Sequence, residues 1–278
     1  MAIEIVWNNT SIDGILRCAE AWRRRWLEGE IIPPGVAATR GSTVHAVIRA
    51  NLRGKLQGEQ PFSATEARDL AADEFEGRWS QGVALQPAEE AEGVEKVKGE
   101  AKDASVDLSG LHARDVAPGI QPVAVEEQIT VTPRGTSILL HGTIDLVETV
   151  AGPGQSGYGI RDVKTKEKSP QKDEANLSGQ LTMYGMLFGA RYGKPPSRMV
   201  LDHLVRTPVL HGLKYVPQET LRDASDYQAL IQRIGAATHA VEKGVFLPAR
   251  ESDWWCSPRW CGYYATCPYV SRRKRPQD

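Results

Sequence analysis

The apolar residues of this 278-residue chain change their period once, and that change decides what it can fold into. Before Pro118 they recur at the three- and four-residue spacing of amphipathic helices; after it they alternate, or run together with β-branched neighbours. "PVAVEEQITV" (122–131), "TSILLHGTIDLVE" (136–148) and "GYGIRDVKT" (157–165) are separated by Pro-Arg-Gly and Gly-Pro-Gly turns, a pattern that predicts an antiparallel three-strand meander. A helix over "EANLSGQLTMYGMLFGARYG" (174–193) follows, ended by Gly193 and Pro195. Two further strands, "SRMVLDHLVRT" (197–207) and "HGLKYVP" (211–217), precede a long helix over 219–243. A helix inserted between strands makes the sheet mixed, so the fold class is α/β.

The region before the sheet reads as helices. "NNTSIDGILRCAEAWRRRWLEG" (8–29) predicts one helix capped by Thr10 or Ser11, with Ile12, Ile15, Leu16, Ala19, Trp22 and Trp26 as its apolar stripe. "IIPPG" breaks it. "GSTVHAVIRANLRGKLQG" (41–58) predicts a second helix with Val44, Val47, Ile48, Leu52 and Leu56 on one side and His45 beside them. "ATEARDLAADEFEGRWSQG" (64–82) and the acidic segment after it are helical, with breaks at Pro87 and Pro118. The organisation expected is one domain in three parts: a helical 1–118, a core over 119–245, and a cysteine-rich 246–278.

A hydrophobic share of 41% and a charged share of 25% fit a globular chain with a real core. The net charge of −1 excludes a global basic field, although "RRRW" (Arg23–Trp26) and "SRRKRP" (Ser271–Pro276) are locally basic and Glu89–Glu100 is acidic. The N-terminus has no secretory pattern, and no apolar run reaches the roughly 18–20 residues that span a bilayer. A cytoplasmic protein without membrane contact is expected.

Two carboxylates fall where a plain sheet would not need them. Asp145 interrupts Ile144 and Leu146-Val147, and Asp162 stands one residue before Val163 and two before Lys164. Sixteen residues between them suit adjacent strands, so both can face one spot. Paired carboxylates are costly unless one takes a proton or a cation lies between them. A hard cation such as Mg²⁺ or Mn²⁺ takes oxygen ligands and keeps waters for a phosphate substrate. Lys164 projects from the same side as Asp162 and can neutralise charge developing on phosphorus. A surface salt bridge across a hairpin is the alternative reading of this D-x-K.

"GTIDLV", "IRDVKT" and "GQLTMYG" (179–185), in this order, resemble the PD-(D/E)xK nuclease superfamily, and specifically its RecB-type branch. The resemblance implies a restriction-endonuclease-like core and a metal-dependent phosphodiester hydrolase. It implies Asp145 as the first acidic ligand and Asp162 and Lys164 as the D-x-K. The Val163 carbonyl is implied as a further metal ligand, and "RGSTVHAVI" (40–48) supplies His45 as the metal-binding histidine. Gln180 and Tyr184, four apart on one helix face, match the motif that positions DNA. Glu126 falls where relatives often carry a glutamate, while Glu127 points the other way.

Cys256, Cys261 and Cys267 lie close together, and Cys18 lies far away in the first helix. Inside a cell such cysteines read as metal ligands rather than disulfides. One thiol before the core and three after it resemble the iron–sulfur-stapled RecB-type nucleases, including the AddB nuclease domain and the CRISPR-associated four-cysteine nucleases. A [4Fe–4S] cluster on Cys18, Cys256, Cys261 and Cys267 is thereby implied, with zinc as the alternative. The first gap, of four residues, departs from the two common among those relatives.

The function expected is a metal-dependent DNA exonuclease acting on single strands or ends, in recombination, repair or phage DNA metabolism. No G-x-x-x-x-G-K-[ST] motif is present, so duplex unwinding would fall to a helicase or recombination partner. The alternatives are a nuclease-fold DNA-binding subunit of a recombination or CRISPR spacer-acquisition complex, and a redox-sensing iron–sulfur protein.

Overall fold

The computed structural model describes residues 5–152, 155–207 and 212–271. The basic run after Ser271, and the Gly-Pro-Gly turn beyond Gly152, lie outside them. A two-residue strand β1 (Val6–Trp7) leads into helices α1 (Asn9–Arg17) and α2 (Ala19–Trp26). Helices α3 (Val36–Leu56), α4 (Ala64–Ser80), α5 (Pro87–Glu92) and α6 (Val94–Asp115) follow, then strands β2 (Pro122–Val131), β3 (Leu139–Gly152) and β4 (Gln155–Lys166). A short α7 (Glu174–Leu177) and α8 (Gly179–Tyr192) cross to β5 (Arg198–Arg206), β6 (Leu213–Thr220) and α9 (Ala224–Glu242).

The strands make a six-stranded mixed sheet among the described residues. β2 and β4 both run antiparallel to β3, which is the predicted meander. β4 and β5 are parallel because α7 and α8 carry the chain back over one face, and β6 closes antiparallel on β5. Helices cover both faces. Leu181, Met183, Leu187 and Phe188 of α8 pack with Leu230 and Ile234 of α9, with Trp22 of α2, and with Ile144 and Ile160 of the sheet. Val44, Ile48 and Leu52 of α3 and Leu108 and Leu111 of α6 cover Leu146, Val163 and Leu204 on the other face. β4 and β5 are therefore buried on both sides, as strands of such layered folds are.

Three local readings need correction. The first helix is two. Cys18 takes an extended conformation (φ −160°, ψ 102°) between α1 and α2, and Asn8, rather than Thr10 or Ser11, caps α1 by accepting from the Ser11 N–H. Of the predicted stripe, Ile12, Ile15, Ala19 and Trp22 are buried, whereas Leu16 and Trp26 are exposed. The helix predicted over 174–193 divides at Ser178, whose hydroxyl accepts from the Leu181 N–H and starts α8 afresh. Finally, the segment before residue 118 is not purely helical, because β1 pairs parallel with Leu139 and Leu140 of β3.

Phe188 is fully buried between the sheet and Tyr192, whose ring lies 4.4 Å away, centroid to centroid. Phe188→Ala should cost about 3–5 kcal/mol, read as a lowered urea midpoint with an unchanged slope.

Candidate active site

The β3–β4 ladder runs back from Gly152 and Gln155 to Leu146 and Arg161. The next pair in that register is Asp145 and Asp162, where β3 and β4 part. Side-chain alternation also breaks on β3 at this point: Ile144 and Val147, three apart, share one core cluster while Leu146 joins the other. Opposite, on β2, Glu126 has φ 52°, in the left-handed region, and the ladder pairs Val125 with Leu146 and Glu127 with Ile144 on either side of it. A non-glycine residue there costs of order 1–3 kcal/mol and persists only where its surroundings hold it. Arg49 (2.8 Å) and Arg53 (3.3 Å) of α3 hold the Glu126 carboxylate. Glu127 instead accepts from Arg191 and Tyr192 of α8.

Asp162 is fully buried, and neither carboxylate oxygen receives a hydrogen bond of good geometry. Its ion-pair contact is the Lys164 ammonium at 2.8 Å. Lys164 in turn donates to Gln180 Oε1 (2.6 Å), and Gln180 Nε2 donates to the Tyr184 hydroxyl (2.8 Å). An ammonium has no acceptor, so this contact dictates which end of the Gln180 amide faces Lys164. The Tyr184 hydroxyl accepts from Gln180 and keeps its own proton to give. Burial, with Asp145 and Asp162 adding, pushes its ionisation far above the ordinary range, so it stays neutral.

On the other side, His45 of α3 places Nε2 2.9 Å from the Val163 carbonyl and Nδ1 3.3 Å from Asp145 Oδ2. Burial lowers the His45 pKa against the opposing pull of Asp162, which favours neutral imidazole, the metal-binding form. Burial first, and Asp162 second, push the Asp145 carboxyl up to about 8. His45, Asp145 and Glu126 line one small cavity of about 20 Å³, together with Arg49 and the buried His112.

The structure thus brings Asp145, Asp162, Lys164, Gln180, Tyr184, His45, Val163 and Glu126 around one end of the β3–β4 pair. In their present placement no three His, Cys, Asp or Glu side chains among the described residues are disposed to hold a metal ion. Asp162 lies against Lys164 and Asp145 against His45. Arg49 and Asp13 were missed in the sequence. Arg49 stands four residues after His45, the spacing of one helix face, which was the available signal. Asp13 of α1 lies within electrostatic range of Lys164, and burial raises its pKa; nothing in its local sequence announces this.

The four cysteines also converge. Cys18, Cys256, Cys261 and Cys267 line one cavity of about 30 Å³ with Arg24, Trp255 and Tyr263. Burial, with the other thiols adding, raises the Cys256 pKa, and burial also raises that of Cys261. Cys18 Sγ accepts from the Ala249 N–H at 3.4 Å, and the Ala19 N–H donates to the Leu247 carbonyl at 3.0 Å, so the break between α1 and α2 is where the terminal segment docks.

The model of the PD-(D/E)XK nuclease superfamily matches residues 7–268. The chain belongs to that superfamily. Membership places this nuclease among phosphodiester hydrolases with DNA as the substrate class. A crystal structure from Eubacterium rectale described as "Putative exonuclease" is similar at 12% identity, over 89% of this chain and 85% of that one, with a TM-score of 0.49. No curated protein matches the sequence. Among the described residues no helix is long and apolar enough to cross a membrane.

The raised Asp145 pKa has a sign that can be measured. The folded chain prefers the protonated acid, so the stabilisation is complete below the ordinary value near 4 and is lost as pH rises toward about 8. Asp145→Asn, which mimics the neutral acid, should raise Tm over wild type at pH 8 without divalent metal. That gap should close toward pH 4.

Proposed function

We propose that the chain is a Mg²⁺- or Mn²⁺-dependent DNA exonuclease working on single strands or ends. The observation that carries this reading is Asp162, a fully buried carboxylate without a well-formed hydrogen bond, beside a second carboxyl on the neighbouring strand. Such a pair calls for a cation. Asp145, Asp162, the Val163 carbonyl and His45 would hold it, with Glu126 completing the set. The oxygen-rich donors suit a hard divalent ion, and the neutral imidazole is compatible with it. When bound, the metal supplies an activated water and Lewis-acid stabilisation of the phosphate.

The remaining chemistry belongs to side chains. Lys164 keeps an ammonium beside the carboxylates, where it offsets negative charge on the scissile phosphate. Gln180 holds Lys164 and Tyr184 in one chain of hydrogen bonds, and the neutral Tyr184 hydroxyl has a proton free for a phosphate oxygen. Arg49 and Arg53 hold Glu126 toward the cavity.

The four cysteines are assigned to a [4Fe–4S] staple in preference to zinc, by their resemblance to the stapled nucleases. Their convergence on one cavity supports this, as does their thiol chemistry, which suits soft metals. A staple of this kind restrains the unfolded chain, because it closes a loop spanning the whole nuclease core.

Cleavage of 5′- and 3′-labelled single and double strands with Mg²⁺ and Mn²⁺ tests the assignment. Asp162→Ala and Lys164→Ala should each lose at least about a hundredfold in rate while retaining DNA binding, and Lys164→Ala, which strips Asp162 of its compensating charge, should also lower Tm. Full cleavage by either variant would overturn the site. Protein purified without oxygen should contain about four irons per chain, and Cys18→Ala should lose them together with thermal stability. One zinc per chain would replace the cluster while keeping the staple.

A further inference from the structure

The terminal segment exposes more indole than a soluble surface needs. Trp254 and Trp260 are 61% and 55% exposed, yet their rings are ordered against each other, with centroids 5.3 Å apart at 85°. Trp255 continues the array, 5.4 Å from Trp254 at 79°, and is itself anchored in the wall of the cysteine cavity. The Arg259 guanidinium lies 5.1 Å over the Trp260 ring. The indoles are therefore held in place and not merely left over from a core.

The sequence of this segment is biased in charge. Residues 246–278 contain six basic residues against three acidic ones in a chain of net charge −1, and four of the six are the consecutive Arg272, Arg273, Lys274 and Arg275. The neighbouring α2 adds an exposed Trp26 beneath Arg25 at 5.6 Å, while Arg24, 4.7 Å over the Tyr263 ring, is already paired with Glu30. Exposed indole faces take up unpaired bases of any sequence, and interleaved guanidinium groups take up the phosphates between them. Duplex DNA hides its base faces in the stack, so this chemistry selects a single strand.

We propose that Trp254, Trp260 and Arg259 form a stacking platform for single-stranded DNA. It shares no residue with the carboxylate site, and the cysteine cavity keeps it rigid through Trp255. The proposal rests on DNA being the substrate, as in the function proposed above. It adds a second contact that holds the strand during cleavage.

The full-length protein without added divalent metal is titrated with a dT oligonucleotide, followed by tryptophan fluorescence and by anisotropy of a labelled strand. Binding should quench the indoles, and the double variant W254A/W260A should bind at least about tenfold more weakly, while W254F/W260F should keep most of the affinity. With Mn²⁺ present, the alanine variant should raise KM with kcat within about twofold. Tm and bound metal at the cysteines serve as the readout of folding, and R259A, which removes no indole, should weaken binding and flatten its salt dependence.

Equal affinity of the alanine variant and wild type, with both folded, would overturn the platform while leaving cleavage intact. Loss of a helicase's stimulation with no change in strand binding would also overturn it, by making the surface a protein contact. Absence of any cleavage by wild type, with tryptophan-dependent strand binding retained, would instead overturn the nuclease reading and leave the platform standing. An RNA strand of the same length, bound equally, would support stacking without sugar discrimination.

Discussion

Everything near the proposed catalytic end is arranged around a carboxylate that water cannot reach. Burying an ion costs several kcal/mol even after the protein relaxes, and Asp162 sits wholly inside with an ammonium as its compensation. That ammonium is held by Gln180, so the offset depends on α8 lying at one position and rotation along the sheet. Ser178 secures that position by starting α8 with a fresh cap. On the far face His45 ties α3 to the Val163 carbonyl and to Asp145. Both helical layers are thus referenced to one pair of strand ends, and the rest of the packing keeps them there.

Much of this was legible because strand and helix periods carry geometric information. Sixteen residues between Asp145 and Asp162 placed them across a hairpin, and the structure has them opposite one another in register. The period of two placed Lys164 beside Asp162, and the spacing of four placed Gln180 beside Tyr184. The helix break at Cys18 was not legible. No proline or glycine stands there, and the apolar spacing of Ile12, Ile15, Ala19 and Trp22 reads smoothly through it. What interrupts the helix is tertiary: Leu247 and Ala249 supply the hydrogen-bond partners that an extended Cys18 and the first turn of α2 need.

Glu126 shows the same limit at a finer scale. Its place on a strand could be read, but its left-handed conformation could not, since local preference argues against it. The conformation exists because Arg49 and Arg53 on a separate helix hold the carboxylate, and because the strand opposite changes its facing at Asp145. Two irregularities facing each other across a ladder open a cavity that two regular strands would have closed.

The docking of Leu247 and Ala249 onto the gap between α1 and α2 also has a consequence for synthesis. A ribosome delivers α1 and α2 first and their partner residues more than two hundred positions later. Until then the break at Cys18 has no carbonyl to receive the Ala19 amide, and Trp22 lacks the Phe246 ring that stacks 6.4 Å from it. The nascent chain must hold its opening helices in provisional form through the whole of the sheet. A messenger that ends early would yield a product whose beginning, as well as its end, is left unfinished.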